Sequence, residues 1–265
     1  MRDQRKLDGG REGFTLLELI VVLAVLVALA GLAVSKLDLL QLKAEKATAG
    51  MDMRNISRLI QTFRATTNFY PDRWDSLLHS DGTLKQPGLP GSGDAGLDPG
   101  IVGGNGFTAK LALLPAPGLS ADHVKSLSRL GITTLYDHVA NSDVPYGDGF
   151  TVENPIGVGD RLATVVKQKI IDSIYPTPPP GSAVVPADRV LVVFGLGKWT
   201  TIVGSNLQSA VISEPPTYPY SNDLYYNRYL AVFEAYNDGS RCRLVAVLGA
   251  DGDLAAEELA EFSKN

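Results

Sequence analysis

Hydrophobic and polar positions divide this chain into three regimes. Across residues 19–34 no side chain is polar, and across 14–34 the polar ones are Thr15 and Glu18. A helix of that length rises about 31 Å at 1.5 Å per residue, so the run predicts a membrane-spanning helix. Beyond it the apolar positions thin to Leu37, Leu40, Ala44, Ala47, Met51, Leu59 and Phe63, which recur at helical spacing. No proline precedes Pro71, so one continuous helix is predicted over 14–66, apolar all round at first and amphipathic afterwards. Gly31 and Gly50 are its soft points, each costing up to about 1 kcal/mol relative to alanine. Pro71 disfavours helical geometry at the residue before it and closes the element.

The third regime mixes periods. Trp74, Leu77 and Leu78 suggest a short helical turn, and residues 81–106, with Pro87, Pro90, Pro99 and many glycines, read as loop. Residues 111–114 and 121–130 suggest short helical pieces, 132–139 a strand, and 176–180 a stiff extended linker. The last third reads as β-structure. Residues 190–194 and 200–203 are strand candidates, and 229–236 and 241–248 flank Asn237-Asp238-Gly239-Ser240 as the clearest hairpin. Residues 254–262 close the chain as an amphipathic helix. The expected fold class is α+β: a long amino-terminal helix, transmembrane in its first half, packed on a carboxy-terminal antiparallel β-sheet head.

Glu18 is the anomaly in this pattern, because a carboxylate in hydrocarbon costs roughly 2.5–3.5 kcal/mol and calls for a partner. The stretch Gly13-Phe14-Thr15-Leu16-Leu17-Glu18, with its charged leader and uninterrupted apolar tail, resembles the processing site of type IV pilins and pseudopilins. The resemblance implies that a prepilin peptidase cuts after Gly13 and that the new amino terminus, Phe14, is N-methylated. It also implies that Glu18 compensates that ammonium during assembly, within a subunit or across to a neighbour. An ordinary secretory signal has an apolar core of roughly 7–15 residues followed by its cut, whereas here the cut precedes a longer core. The segment from Tyr70-Pro71 to Asp75-Ser76-Leu77-Leu78 also resembles the loop after the long helix of major pseudopilins.

These boundaries give a leader over 1–13, a helix over 14–66 with 14–34 transmembrane, and an extracytoplasmic head over 67–265. Within the head lie the loop-rich stretch 81–106 and a β-sheet over 189–250. Removing the leader takes the basic residues from 24 to 20 and the acidic ones from 29 to 26, leaving a net charge of −6. That balance, with no basic cluster longer than Arg241-Cys242-Arg243, excludes a polyanion binder, so no nucleic-acid partner is expected. Cys242 is the only cysteine, which rules out an intramolecular disulfide, and its alternation with the two arginines suggests a buried strand position.

No catalytic constellation emerges, and an enzyme is not expected. Gly195-Leu196-Gly197-Lys198-Trp199-Thr200 superficially matches a phosphate loop, but Val192 stands where the first glycine is needed and Trp199 where the magnesium hydroxyl is needed. Gly104-Asn105-Gly106 lacks the preceding strand of a dinucleotide fingerprint. His79, His123 and His138 have no metal-ligand spacing, and Asp137-His138 lacks a nucleophile motif. Asn55-Ile56-Ser57 is a glycosylation sequon inside the predicted helix. Asp251 and Asp253, with Glu257 and Glu258, form the best oxygen cluster. Calcium sites near the carboxy-terminal end occur in the resembled major pseudopilins, yet Ala255 and Ala256 break the calcium-loop template, so no cofactor is expected and calcium is a secondary candidate.

The reading is a pseudopilin-like structural subunit of a type II secretion filament. Its expected partners are the prepilin peptidase, other pilin-like subunits, an inner-membrane assembly platform and membrane lipid. Its expected location is the bacterial inner membrane, single-pass, with the head extracytoplasmic. The alternatives are a type IV pilus or DNA-uptake minor pilin, and a membrane-anchored extracytoplasmic enzyme or binding protein.

Overall fold

The computed structural model describes residues 15–78, 82–84, 109–136, 153–204, 226 and 228–263. They belong to two compact units, Met1–Leu42 and Lys43–Asn265. The described part of the first unit is the opening stretch of helix α1 (Leu16–Thr67), which continues into the second. Asn68 ends the helix three residues before Pro71: its backbone is left-handed at φ 64°, and its N–H still reaches the Arg64 carbonyl at 2.8 Å.

In the second unit α1 buries one face, formed by Ala49, Met53, Ile56 and Ile60 at 2 % exposure or less. These residues are spaced four, three and four apart, as one side of a helix requires. Met51, assigned to the apolar stripe by its sequence, points away from that face and is 59 % exposed.

Among the described residues the main sheet has six strands in the order β4-β3-β1-β6-β7-β8. They are β1 (Trp74–Asp75), β3 (Thr134–Tyr136), β4 (Glu153–Pro155), β6 (Arg189–Gly195), β7 (Leu230–Tyr236) and β8 (Cys242–Leu248). A second sheet pairs β2 (Leu111–Leu113) with β5 (Ala163–Val165). Three further helices are α2 (Ala121–Ser128), α3 (Gln168–Ile174) and α4 (Ala255–Ser263).

Two parts of the expected fold class are corrected. The sheet is mixed, because β1 and β3 pair in parallel, with Trp74 opposite Leu135 and Asp75 opposite Tyr136. The connection between them contains β2 and α2, and such a crossover returns the chain in the same direction. Second, no helix among the described residues is long and apolar enough to cross a membrane.

Three local expectations also change. Residues 111–113 form a strand registered against Ala163–Val165, since a short apolar run fits either element and cross-strand partners decide it. The turn expected at 74–78 is instead the two-residue strand β1, where left-handed backbones at Arg73 and Leu77, φ 64° and 60°, break any helical turn. Residues 200–203 form turns with a single bridge rather than a strand. Of the loop at 81–106, only 82–84 lie among the described residues, and there Leu84 bridges back to Leu78.

The core gathers around β6 and β7, all of whose residues from Leu191 and Leu230 onward are buried. Phe233 packs edge-on against Tyr70 and Trp74, with ring centroids 5.1 and 5.4 Å away, and Phe194 lies 5.9 Å from it. The Trp74 indole N–H donates to the Pro71 carbonyl at 2.7 Å, so the residue that follows the helix stop is anchored in the core.

Candidate functional site

Gly13 and Phe14 lie outside the described residues, and the described part of the proposed assembly segment begins at Thr15. There the Thr15 N–H donates to Glu18 Oε2 at 2.9 Å and the Thr15 hydroxyl donates to the same oxygen at 3.0 Å. The Glu18 N–H donates back to Thr15 Oγ1 at 3.3 Å. This reciprocal pair is a capping box, and Thr15-Leu16-Leu17-Glu18 carries its sequence signature, a signal the sequence reading passed over. A carboxylate in the first helical turn also meets the positive end of the helix dipole. Glu18 thus has a local role in closing the helix start, beside any role between subunits.

Around Glu18 the apolar surface is continuous. Every large apolar side chain of residues 16–31 is between 52 and 77 % exposed. Because successive residues Leu19, Ile20, Val21, Val22 and Leu23 point in all directions around the axis, no single face could bury them. Exposed apolar surface of this extent calls for a cover.

The oxygen cluster at the other end of the chain is occupied by lysines. Lys110 Nζ lies 2.7 Å from Asp253 Oδ1 and 2.9 Å from the Asp251 carbonyl oxygen. Lys167 Nζ reaches the same Asp253 oxygen at 3.0 Å and Glu257 Oε1 at 3.3 Å, and Lys169 also pairs with Glu257. Burial alone would raise the Asp253 carboxyl, yet hydrogen bonds from Lys110 and Lys167 hold it below the usual range. Asp251 behaves oppositely: burial, then the neighbouring Asp253 charge, pushes it up to about 6. Asp251 accepts the Asp253 N–H at 2.9 Å, and Glu257 Oε2 accepts the Leu254 N–H at 3.0 Å, closing the start of α4. Among the described residues no three of His, Cys, Asp and Glu gather as a metal site. The two calcium candidates therefore sit in a lysine clamp joining the segments before β2, before α3 and around the start of α4.

The remaining singled-out residues are structural. Cys242 is buried, and burial pushes its thiol far up. Arg241 stacks over the Tyr236 ring, its guanidinium 4.2 Å from the centroid, and Arg243 pairs with Glu234. Glu234, fully buried on β7, was missed by sequence reasoning because its neighbours read as a continuous strand core. It accepts from the Tyr175 and Tyr236 hydroxyls at 2.7 and 2.8 Å. Burial would raise its carboxyl, but the bonds from Arg243 and the two tyrosines bring it below the usual range.

The glycines that mimic a phosphate loop make room for a carboxylate instead. A Cβ at Gly197 would lie 2.0 Å from Asp75 Oδ1, and one at Gly195 would lie 1.8 Å from Tyr226 Oη. Asp75 is fully buried, held by the Tyr226 hydroxyl at 2.8 Å and by Arg228 at 3.1 Å. His123 accepts the Ser120 N–H on Nδ1, which leaves the proton on Nε2 to donate to Asn237 Oδ1. Ile56 of the sequon is buried in α1. His79, Asp137, His138 and residues 104–106 lie outside the described residues.

No family model, no curated protein and no solved structure matches the chain.

Proposed function

We propose that this chain is a pilin-like structural subunit, most specifically a pseudopilin, that builds a filament of a type II secretion system by bundling residues 16–31 of many copies. The observation that carries this reading is the all-round exposed apolar surface of those residues, with one carboxylate, Glu18, at its amino-terminal end. A surface without a preferred face is covered completely only by several neighbours, and identical helices in a bundle supply them. Cleavage after Gly13 by a prepilin peptidase and methylation of Phe14 would place an ammonium beside Glu18, where the apolar bundle strengthens their attraction. Assembly at the inner membrane, with the head extracytoplasmic, belongs to the same proposal.

The capping box supplies the discriminating variant. Glutamine serves at the third helical position of a capping box, so Glu18→Gln keeps the helix start and removes the charge. The expected result is a mature protein beginning at Phe14 by mass spectrometry that fails to enter sheared filaments. Incorporation of Glu18→Gln at the natural level would show that the carboxylate serves as a cap alone, and an intact leader in peptidase-competent cells would remove the pilin reading altogether.

A further inference from the structure

The carboxy-terminal segment is fastened to the head more by charge than by apolar burial. Among the described side chains of α4 the buried one is Glu257, while Ala255 and Leu259 are half-buried and Ala256 and Ala260 are exposed. Its closest approach is to α1, where a Cβ at Gly50 would lie 3.1 Å from Leu259 Cγ. Every residue of β7, by contrast, is buried. An element with so little apolar burial opens at a lower free energy than the core it rests on.

The stretch before α4 lies along the outer edge of β8. Leu254 bridges back to Leu248, and the Gly249 N–H donates to the Asp253 carbonyl at 2.9 Å. The chain reverses between them at Gly252, whose backbone is left-handed at φ 83° and whose N–H donates to the Gly249 carbonyl at 3.0 Å. Beside this segment a groove of about 400 Å³, lined by Met53, Arg54, Ser57, Val245 and Ala246, leaves space between α1 and β8 that α4 does not fill. The fastening comes from elsewhere in the sequence. Lys110 and Lys167 lie 2.7 and 3.0 Å from the same Asp253 oxygen, and Lys167 and Lys169 pair with Glu257. Asp253 is therefore the point at which two remote segments grip the end of the chain.

We propose that residues 249–263 form a releasable strap that opens as one unit ahead of the core, and that the lysine clamp sets how often it opens. Closed, the strap covers Gly50 of α1 and the outer edge of β8. Open, it bares the backbone groups of that edge, a surface on which another strand can pair. The clamp thus governs access to the sheet edge without touching the β6–β7 core, and the inference holds independently of the filament reading.

The test is amide hydrogen exchange on the full chain in detergent micelles. In the unaltered protein the amides of Gly249, Leu254 and Glu257, each bonded within the strap, are expected to exchange at one shared opening free energy and faster than those of Val192 and Phe233 in the core. Asp253→Asn keeps the backbone carbonyl that Gly249 uses and removes the charge, and should speed exchange of the three strap amides by about tenfold or more while the core amides stay unchanged. Lys167→Met removes the grip from the other side and should give the same pattern, which guards against a misfolded first variant. Strap amides that exchange only with the core, variants that speed both equally, or variants that leave the strap amides unchanged would each overturn the strap.

Discussion

Two stretches of α1 distribute their apolar residues in opposite ways. In residues 16–31 every large apolar side chain is more than half exposed, while in residues 49–63 Ala49, Met53, Ile56 and Ile60 are buried and Met51 is not. The difference lies in the polar residues. The exposed Arg54, Asn55 and Arg58 mark one side of the second stretch as outward and leave one apolar side for the core. The first stretch has no such marking after Glu18, so it offers partners the same surface from every direction. One helix therefore combines a stretch built for a single, permanent cover with a stretch built for many interchangeable ones.

The largest effect should come from deleting part of the permanent cover. Ile60→Ala is expected to cost about 2–5 kcal/mol in denaturant unfolding, because it opens a cavity in a closed core. Leu23→Ala should leave that unfolding midpoint unchanged while weakening association of the full chain. Equal losses from both substitutions would erase the contrast between the stretches.

A second test concerns what lies over the permanent stretch. Leu259 of α4 meets α1 at Gly50, and the lysine clamp holds the start of α4. Asp251 in that clamp has a folded pKa raised to about 6, above its value in an unfolded chain. Its ionised form therefore costs stability above about pH 6, and the cost fades as pH falls from 6 towards 4. Asp253 and Glu257, both held low, contribute stability at neutral pH that is lost only below their unfolded values near pH 4. Asp251→Asn is expected to stabilise the protein at pH 7 by roughly 2–3 kcal/mol and to flatten the profile between pH 7 and pH 5. Thermal melts of both proteins at the two pH values check this, and parallel profiles would contradict it.

The smallest effect sharpens the comparison at the level of single glycines. A Cβ at Gly31 meets nothing within 4 Å, so Gly31→Ala should stabilise the helix by about 1 kcal/mol, read as slower amide exchange around residue 31. At Gly50 the same Cβ would lie 3.1 Å from Leu259 Cγ and 3.3 Å from the Ala255 carbonyl oxygen. The helical gain is then offset by displacement of α4, and Gly50→Ala should change stability by less than about 0.5 kcal/mol. A full 1 kcal/mol gain at both positions would show that α4 does not press on Gly50.

Legibility in the sequence followed the range of the interaction. The hairpin of β7 and β8 was readable because its strands and its Asn237-Asp238-Gly239-Ser240 turn are adjacent, and the structure registers Leu230 with Leu248 through to Ala235 with Cys242. The burial of Cys242 was readable for the same reason. The parallel pairing of β1 with β3 was not, since β1 is two residues long and its partner lies sixty residues away. The buried side of α1 was misjudged at Met51 because Leu59 and Phe63 lie partly on both possible stripes, and the small Ala49 gives no periodic signal. The charged groups of the head were the least legible. Asp251 and Asp253 read locally as an oxygen cluster, whereas the lysines that pair with Asp253, Lys110 and Lys167, come from far earlier in the chain. The capping box of Thr15 and Glu18, by contrast, is fully local, since its two members stand three residues apart at the helix start.

The clamp also bears on how the protein is made. Lys110 meets its two carboxy-terminal partners across 141 and 143 positions of sequence, so the loop it closes is among the last that a growing chain can close. While translation proceeds, the strands around β6 can pair before Asp253 exists, but Lys110 and Lys167 wait without their carboxylate. A chain that stops short of residue 253 would carry two neighbouring ammonium groups with nothing between them and would leave Gly50 uncovered. Synthesis past residue 257 is thereby coupled to closure of the clamp that joins the segments before β2 and α3 to the start of α4.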